Sequence, residues 1–336
     1  MSQADHAVVD FDMYKYKAAH VGEKKTIEVR HNTLGFVGEF KTRTEFWGHH
    51  AKKAGGRLAE MNAKRDSPLM PSEFEIRDVQ TPEPIAHVLK TVRTMIEDDL
   101  EASGAKSFEG YLGQGDSFRV ELSTMQKYKG QRDAEGAPPK PLALDAVTEY
   151  IERKFKAEYI SGIEADDMCV ISAYRDPRKY VKGEDKDYWG QPVNFYDVNQ
   201  RSRGIVNCDK LGHLFLDKKG KVRGEGRIHM YFQMVSQDDV DNYKAHAFSD
   251  VKWGPKSAYE RLVGCETDQE CWQVMYDIFT LLYPEPKEII GWRQEPIIID
   301  REYVMQEMFS MAQMKRKMNE PHIYITNILD RMGVVR

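Results

Sequence analysis

The sequence predicts an α/β protein: a central, mostly parallel sheet with helices on both faces, in three α/β/α layers. Three observations predict it. A short apolar strand, Ala7-Val8-Val9-Asp10, runs straight into a helical segment, Met13–Ala19. Strand-like and helix-like stretches then alternate through the first two thirds of the chain. Hydrophobic residues are 41% and charged residues 31% of 336, which suits one large globular domain, or one domain with a helical appendage.

The elements follow in order. Thr26 to Phe40 alternates as a hairpin does, with Asn32 and Gly35 as turn residues. Pro82 to Ala102 places Ile85, Val88, Leu89, Val92, Met95 and Ile96 at helical spacing. A strand around Glu109–Leu112 comes next. The basic, polar run Lys127–Lys140 has the composition of a surface segment. Leu142 to Phe155 is a helix with Leu144, Val147, Tyr150 and Ile151 on one face. Glu164 to Tyr174 reads as a helix and Val181 to Asp187 as a strand end. From Ser236 the chain is mainly helical, with a turn at Trp253-Gly254-Pro255 and a Met-rich helix over Tyr303–Met318 that suits core packing first and a partner's docking face second.

Composition narrows the function. No apolar run approaches the roughly 20 residues that span a bilayer, and no basic segment precedes an apolar one at the start. Cys169, Cys208, Cys265 and Cys271 form no CxxC pair and read as free thiols of a reducing cytoplasm. The net charge of −5 disfavours simple phosphate neutralisation. A dense carboxylate cluster would produce the same sum while leaving a basic surface elsewhere.

Four acidic groups stand out: Asp10 and Asp12; Glu164, Asp166 and Asp167; Asp185 and Asp187; and Asp238, Asp239 and Asp241. Each alone reads as a solvated strand end, an acidic first helical turn or an N-cap. Asp167 differs, because it lies on the apolar stripe Ile163, Val170, Ile171, Tyr174, where a carboxylate is costly unless it is paired or metal-bound. Together the groups suit Mg²⁺ or Mn²⁺, hard cations that prefer carboxylate oxygen. Two such ions about 4 Å apart can clamp a phosphodiester. No P-loop, GxSxG, HExxH or dinucleotide fingerprint competes.

The motif order resembles the 5′→3′ exonuclease and flap endonuclease family, especially its bacteriophage members and the 5′-nuclease domain of bacterial DNA polymerase I. Gly162-Ile163-Glu164-Ala165-Asp166-Asp167 is similar to the family's Glu-Ala-Asp-Asp motif. Ser117-Phe118-Arg119 with Tyr128-Lys129-Gly130-Gln131-Arg132 resembles its helical arch. Glu184-Asp185-Lys186-Asp187, Asp238-Asp239-Val240-Asp241-Asn242 and Gly254-Pro255-Lys256-Ser257-Ala258 resemble its Asp-x-Asp, Asp-x-x-Asp-Asn and helix–three-turn–helix motifs.

The resemblance implies a PIN-like fold in three parts. These are a nuclease core over 1–235 with an arch near 117–157, a helix–three-turn–helix region over 236–283, and a C-terminal helical segment, 284–336. It implies one ion on Asp10, Glu164, Asp166 and Asp185 and a second shared by Asp167, Asp187, Asp238 and Asp241. Lys129 and Arg132 would be catalytic. Arg119, Tyr128, Lys129, Arg132, Gly254, Lys256 and Ser257 would contact DNA. Asp12 and Asp116 are further candidates, with Asp116 or else Gln114 in the place of a family aspartate. In the family an aspartate follows the second strand, where this chain has Gln114-Gly115-Asp116. Lys252 replaces a turn glycine, which argues against a K⁺ site there. The expected partners are DNA with 5′ ends, flaps or nicks, and replication proteins, in the cytoplasm (a host's, if phage-encoded) and not at a membrane.

Two other readings compete: a PIN-like ribonuclease, and a branched-DNA binding protein without catalysis. The helix–three-turn–helix and arch motifs argue against the first. Other features read more simply. His49-His50 is a surface feature, Tyr188-Trp189 is packing, and Asp217–Arg223 is a β-turn at Gly220 that could also meet phosphate.

Overall fold

The computed structural model describes residues 4–49, 54–132 and 139–336. Chain contacts divide these into two compact units. One is made of the described parts of Met1–Met13, Met95–Ala137 and Ile151–Arg336, the other of Tyr14–Thr94 and Pro138–Tyr150.

The chain begins with β1 (His6–Asp10), α1 (Asp12–Val21), β2 (Glu23–His31), β3 (Gly35–Phe40) and α2 (Arg43–Trp47). The two-residue strands β4 (Gly48–His49) and β5 (Ala54–Gly55), helix α3 (Arg57–Asn62) and strand β6 (Phe74–Pro82) follow. β2 pairs antiparallel with both β3 and β6, giving the smaller unit its own sheet, ordered β3-β2-β6. The expected hairpin is there, with Gly35 at φ +78° closing its turn, a backbone region that suits glycine. Ile27, Val29, Phe46, Leu58 and Leu69 form this unit's core. Phe46 meets Phe40, Trp47 and Phe74 edge-on or tilted, as aromatic rings prefer. His49 is exposed, and His50 lies outside the described residues.

The chain continues through α4 (Ile85–Ser103), β7 (Ser107–Ser117), α5 (Phe118–Leu122), α6 (Leu144–Phe155), β8 (Glu158–Gly162), α7 (Ala165–Ala173), β9 (Lys179–Gly183), β10 (Asn194–Asp197) and β11 (Val206–Asn207). The larger unit carries a six-stranded sheet, ordered β11-β10-β9-β1-β7-β8. Every pair in it is parallel except β10–β11. This is the predicted mixed α/β architecture on a mostly parallel sheet. The central strand β1 is buried from Ala7 to Val9, as a strand covered on both faces must be. Cys169, Val170 and Ala173 of α7 pack with Val8, Tyr111, Val181 and Phe195 of the sheet.

The rest of the larger unit is β12 (His213–Leu216), β13 (Val222–Glu225), α8 (Arg227–Val235), β14 (Gln237–Asp238), β15 (Tyr243–Lys244), α9 (Pro255–Leu262), α10 (Asp268–Leu282), β16 (Lys287–Ile290), β17 (Pro296–Ile299), α11 (Arg301–Ala312) and α12 (Ile325–Met332). Helices α8 to α12 share one apolar cluster. The expected divisions at 235/236 and 283/284 therefore do not separate compact parts, because α8, α10 and α11 bury their apolar faces against one another. Nor is 284–336 wholly helical: the antiparallel pair β16–β17 precedes α11.

Three local expectations also change. β7 runs on to Ser117 through a bulge between Gln114 and Ser117, with Gly115 at φ +78°. Asp238, Asp239 and Asp241 do not cap a helix. Asp238 ends β14, and its Oδ1 accepts the backbone N–H groups of Val240 and Asp241 in the turn before β15. The Met-rich helix stops at Ala312, so Gln313–Met318 continues as non-helical chain.

Candidate metal centre

The first acids stand at the carboxyl edge of the sheet, where parallel strands leave a crevice. Asp10 ends β1. Its Oδ1 accepts the N–H of Asp12 at 2.9 Å, and its Oδ2 accepts the Tyr188 hydroxyl at 3.2 Å. Asp12 opens α1 and turns to the neighbouring strand, accepting the N–H of Gly113 at 3.1 Å. A Cβ at Gly113 would lie 2.9 Å from Asp12 Oδ2, so a side chain there would push the Asp12 carboxylate aside. The bulged end of β7 leaves Gln114 and Asp116 exposed.

Glu164 caps α7, and its N–H donates to Asp167 Oδ2 at 3.3 Å. One carboxylate oxygen from each of Glu164, Asp166 and Asp167 lies within 4.8 Å of the others, so this group could hold a metal ion. The resemblance places Asp167 with Asp187, Asp238 and Asp241, whereas the structure groups it with Glu164 and Asp166. It is fully buried.

Asp185 caps a 3-10 turn that follows β9 and accepts the N–H of Asp187 at 3.0 Å. Asp187 accepts the Gln233 side-chain amide from α8. Asp238 is ion-paired with Lys186, whose ammonium also lies 3.6 Å from Asp187 Oδ1.

Charge effects show that these acids make one cluster. Burial first, then the charges of Glu164 and Asp167, hold Asp166 well above the usual carboxylate range. Burial and Asp187 do the same to Asp185, which also feels Asp241. Asp187 is raised by burial and by Asp241 and Asp238, and Asp241 by burial and by Glu164 and Asp238. The buried Tyr188 hydroxyl feels Asp10, Asp166 and Asp185 together. Two members go the other way. Burial would raise Glu164, but Arg119 and Lys129 outweigh it. Lys186 likewise outweighs burial at Asp238.

Arg119, Lys129 and Lys186 thus place three cations among the carboxylates, and the acids they leave unpaired are crowded enough to favour binding a proton or a cation. Oxygen donors, burial and uncompensated negative charge fit a hard divalent cation.

The segment after α5 reaches the cluster directly. The Lys129 ammonium pairs with Glu164 and lies 3.7 Å from Asp241. The Tyr128 hydroxyl lies 2.8 Å from Glu164 Oε2 and 3.0 Å from Asp241 Oδ2. Lys129 N–H donates to Asp241 O, and the Asn242 amide to Lys127 O, so this segment is laced to the β14–β15 turn. Two expected DNA contacts are corrected here. Tyr128 is 4% exposed, so its ring has no free face for a base. Arg119 is 2% exposed and saturated by protein partners, so it cannot meet phosphate. Arg132 is exposed. Residues 133–138, the middle of the expected arch, lie outside the described residues.

An open groove of about 1140 Å³ runs along the Asp238 side, lined by Lys186, Lys221, Arg223, Lys256 and Tyr259 among others. Gly254 precedes Pro255 at the start of α9, and Lys256 is exposed in the first turn. Ser257 is half-buried. The turn at Asp217–Arg223 is as read: Asp217 accepts the N–H groups of Lys219 and Lys221. Trp189 packs on Phe195, and Tyr188 both packs and serves Asp10.

Sequence reasoning passed over Lys186, Gln233 and the chain after α11. For Lys186 the signal was available, as a cation between two acids of the cluster. Glu307 was also passed over. It is a buried carboxylate on the apolar stripe Val304, Met308, Met311 and accepts the N–H groups of Thr124 and Met125. Burial raises its pKa. Among the described residues no helix is long and apolar enough to cross a membrane. Neither the protein-family models nor the curated proteins compared with the chain give a match.

Proposed function

We propose that this protein is a structure-selective 5′ nuclease that hydrolyses DNA phosphodiester bonds with two Mg²⁺ or Mn²⁺ ions, in replication or in nucleotide recycling by a phage. The observation that carries the reading is the convergence of four separate acidic motifs on one cluster that Lys129 also enters. Asp10, Glu164, Asp166 and Asp185 would hold one ion, and Asp187, Asp238 and Asp241 the other. When bound, such ions neutralise charge on the phosphodiester and lower the pKa of attacking water.

The chain's own groups do the rest. Lys129, already at the cluster, supplies a positive charge where the pentacovalent phosphate develops negative charge. Arg132 is exposed on the same segment and meets the strand entering the site. Tyr128 orients Glu164 and Asp241 through its hydroxyl and does not stack on a base. Lys256 at the start of α9 lines the groove and, with Ser257 beside it in sequence, grips duplex phosphate.

The test is a cleavage assay on a 5′-labelled flap, a nicked duplex and single-stranded RNA, each with Mg²⁺ and with EDTA. Metal-dependent release of short 5′ products from DNA supports the proposal. Cleavage of RNA alone replaces it with a PIN-like ribonuclease. Tight flap binding without cleavage replaces it with a DNA-binding module.

A further inference from the structure

The end of α11 and the chain just after it pass the acidic cluster, and the contact is made through Arg119. The guanidinium has five N–H donors. Nε donates to Met311 O at 3.2 Å. Nη1 donates to Glu164 Oε2 at 2.9 Å and to Asp167 Oδ2 at 2.6 Å. Nη2 donates to Asp167 Oδ1 at 3.0 Å and to Gln313 O at 3.1 Å. Every donor is used, and the acceptors lie on two stretches of chain far from Arg119 in sequence.

Asp167 is filled in the same way. Its Oδ1 accepts from Arg119 and from the N–H of Lys315, the latter at 2.9 Å. Its Oδ2 accepts from Arg119 and from the N–H of Glu164. A carboxylate offers about four lone-pair directions, and here protein donors take all four. Asp166, its neighbour, accepts only the N–H of Asp167 among the described residues, at Oδ1 and 2.6 Å, which leaves Oδ2 for the cluster.

We infer that Arg119 and Asp167 are a positioning pair, locked by the segment Met311–Lys315, that fixes Glu164 and Asp166 as metal ligands. The last part of the chain is thereby built into the metal centre. The pair works on geometry. Arg119 sets the Glu164 carboxylate from one side while Asp167 holds the Glu164 backbone from the other, so the first turn of α7 cannot rotate. A buried ion pair of this kind adds little net stability but fixes one arrangement. Partners that orient a metal ligand change metal affinity by about 10–100-fold when altered.

This inference rests on the metal reading of the cluster, and its test uses no DNA. Mn²⁺ binding to the full chain is titrated by electron paramagnetic resonance in two backgrounds. Asp238→Asn weakens the ion at Asp187 and Asp241, and Asp166→Asn weakens the ion at Glu164. Arg119→Lys keeps the charge but loses the planar fork. It is expected to lower Mn²⁺ affinity by about 10-fold or more in the Asp238→Asn background and to leave the Asp166→Asn background unchanged.

Equal weakening in both backgrounds, or none in either, overturns the inference. Should Arg119→Lys fail to fold, Lys315→Pro removes the backbone donor to Asp167, with Lys315→Ala, which keeps that donor but loses the ammonium over the Phe118 ring, as its control. A several-fold loss confined to the Asp238→Asn background then supports the inference, and no loss overturns it. Failure of the unaltered chain to bind Mn²⁺ would instead overturn the metal reading itself.

Discussion

Replacing Asp185 by asparagine should make the metal-free protein more stable and the metal-loaded protein less so. The asparagine side chain is nearly the same shape and keeps the oxygen that accepts the Asp187 N–H. It removes one charge from a site where burial and Asp187 already disfavour ionisation. The sign follows from linkage. A carboxyl whose folded pKa is raised contributes stability below its unfolded pKa and loses it as pH rises through the folded value. At pH 7.5, where the unfolded carboxyl is ionised, Asp185 therefore costs the metal-free fold stability, and the neutral amide relieves that cost.

With metal the order reverses. A cation at 100 times its Kd adds about 2.7 kcal/mol. Unfolding entropy is about 2.1 cal/mol/K per residue, or roughly 0.7 kcal/mol/K over 336 residues. One occupied site should thus raise the melting temperature by about 4 °C, and Asp185→Asn should remove most of that shift. Differential scanning calorimetry at pH 7.5, in EDTA and in excess Mn²⁺, reads both effects. A variant that melts lower in EDTA, or that keeps the full metal-induced shift, refutes the reasoning.

Three further outcomes are expected. Lys129→Ala should slow cleavage by about 10²–10³-fold in kcat with flap binding nearly unchanged, read by single-turnover kinetics. A matching loss in binding would show that Lys129 holds substrate and does not act in the reaction. Lys256→Ala should weaken duplex binding alike for all sequences and reduce the slope of log K against log[salt] by about 1, read by fluorescence anisotropy at several salt concentrations. His229 is buried, and that burial, with Lys186 and Arg223 nearby, pushes its pKa down to about 4. Its unfolded form binds a proton first, so stability held above pH 6.5 is lost as pH falls toward 4, by up to about 3 kcal/mol. Urea unfolding of the protein and of His229→Leu at pH 7.5 and pH 5 should show a smaller pH dependence in the variant.

Much of this molecule was legible from local pattern. Helix α4 announced itself through Ile85, Val88, Leu89, Val92 and Ile96, because helical periodicity needs only neighbours three and four apart. The buried strand β1 and the start of α7 were equally local. So was the clue at Asp167, a charge on an apolar stripe, although its partner Arg119 lies 48 residues away. The acid groups could be picked out one by one for the same reason.

What the sequence could not decide was pairing over distance. Nothing near Glu23 indicates that β2 will pair with β6, residues 74–82, and make a second unit with its own sheet. Arg119 read as a cation for phosphate because Arg is usually exposed, and only the fold surrounds it with Glu164, Asp167 and two carbonyls of the distant chain end. Tyr128 likewise read as a DNA contact, and only the fold buries its ring. The sequence by itself determined which residues carry charge and which short segments bury an apolar face. The tertiary structure alone decided which charges meet. A carboxylate's partner is set by loop closure and packing across the whole chain, and those leave no periodic trace in the residues on either side.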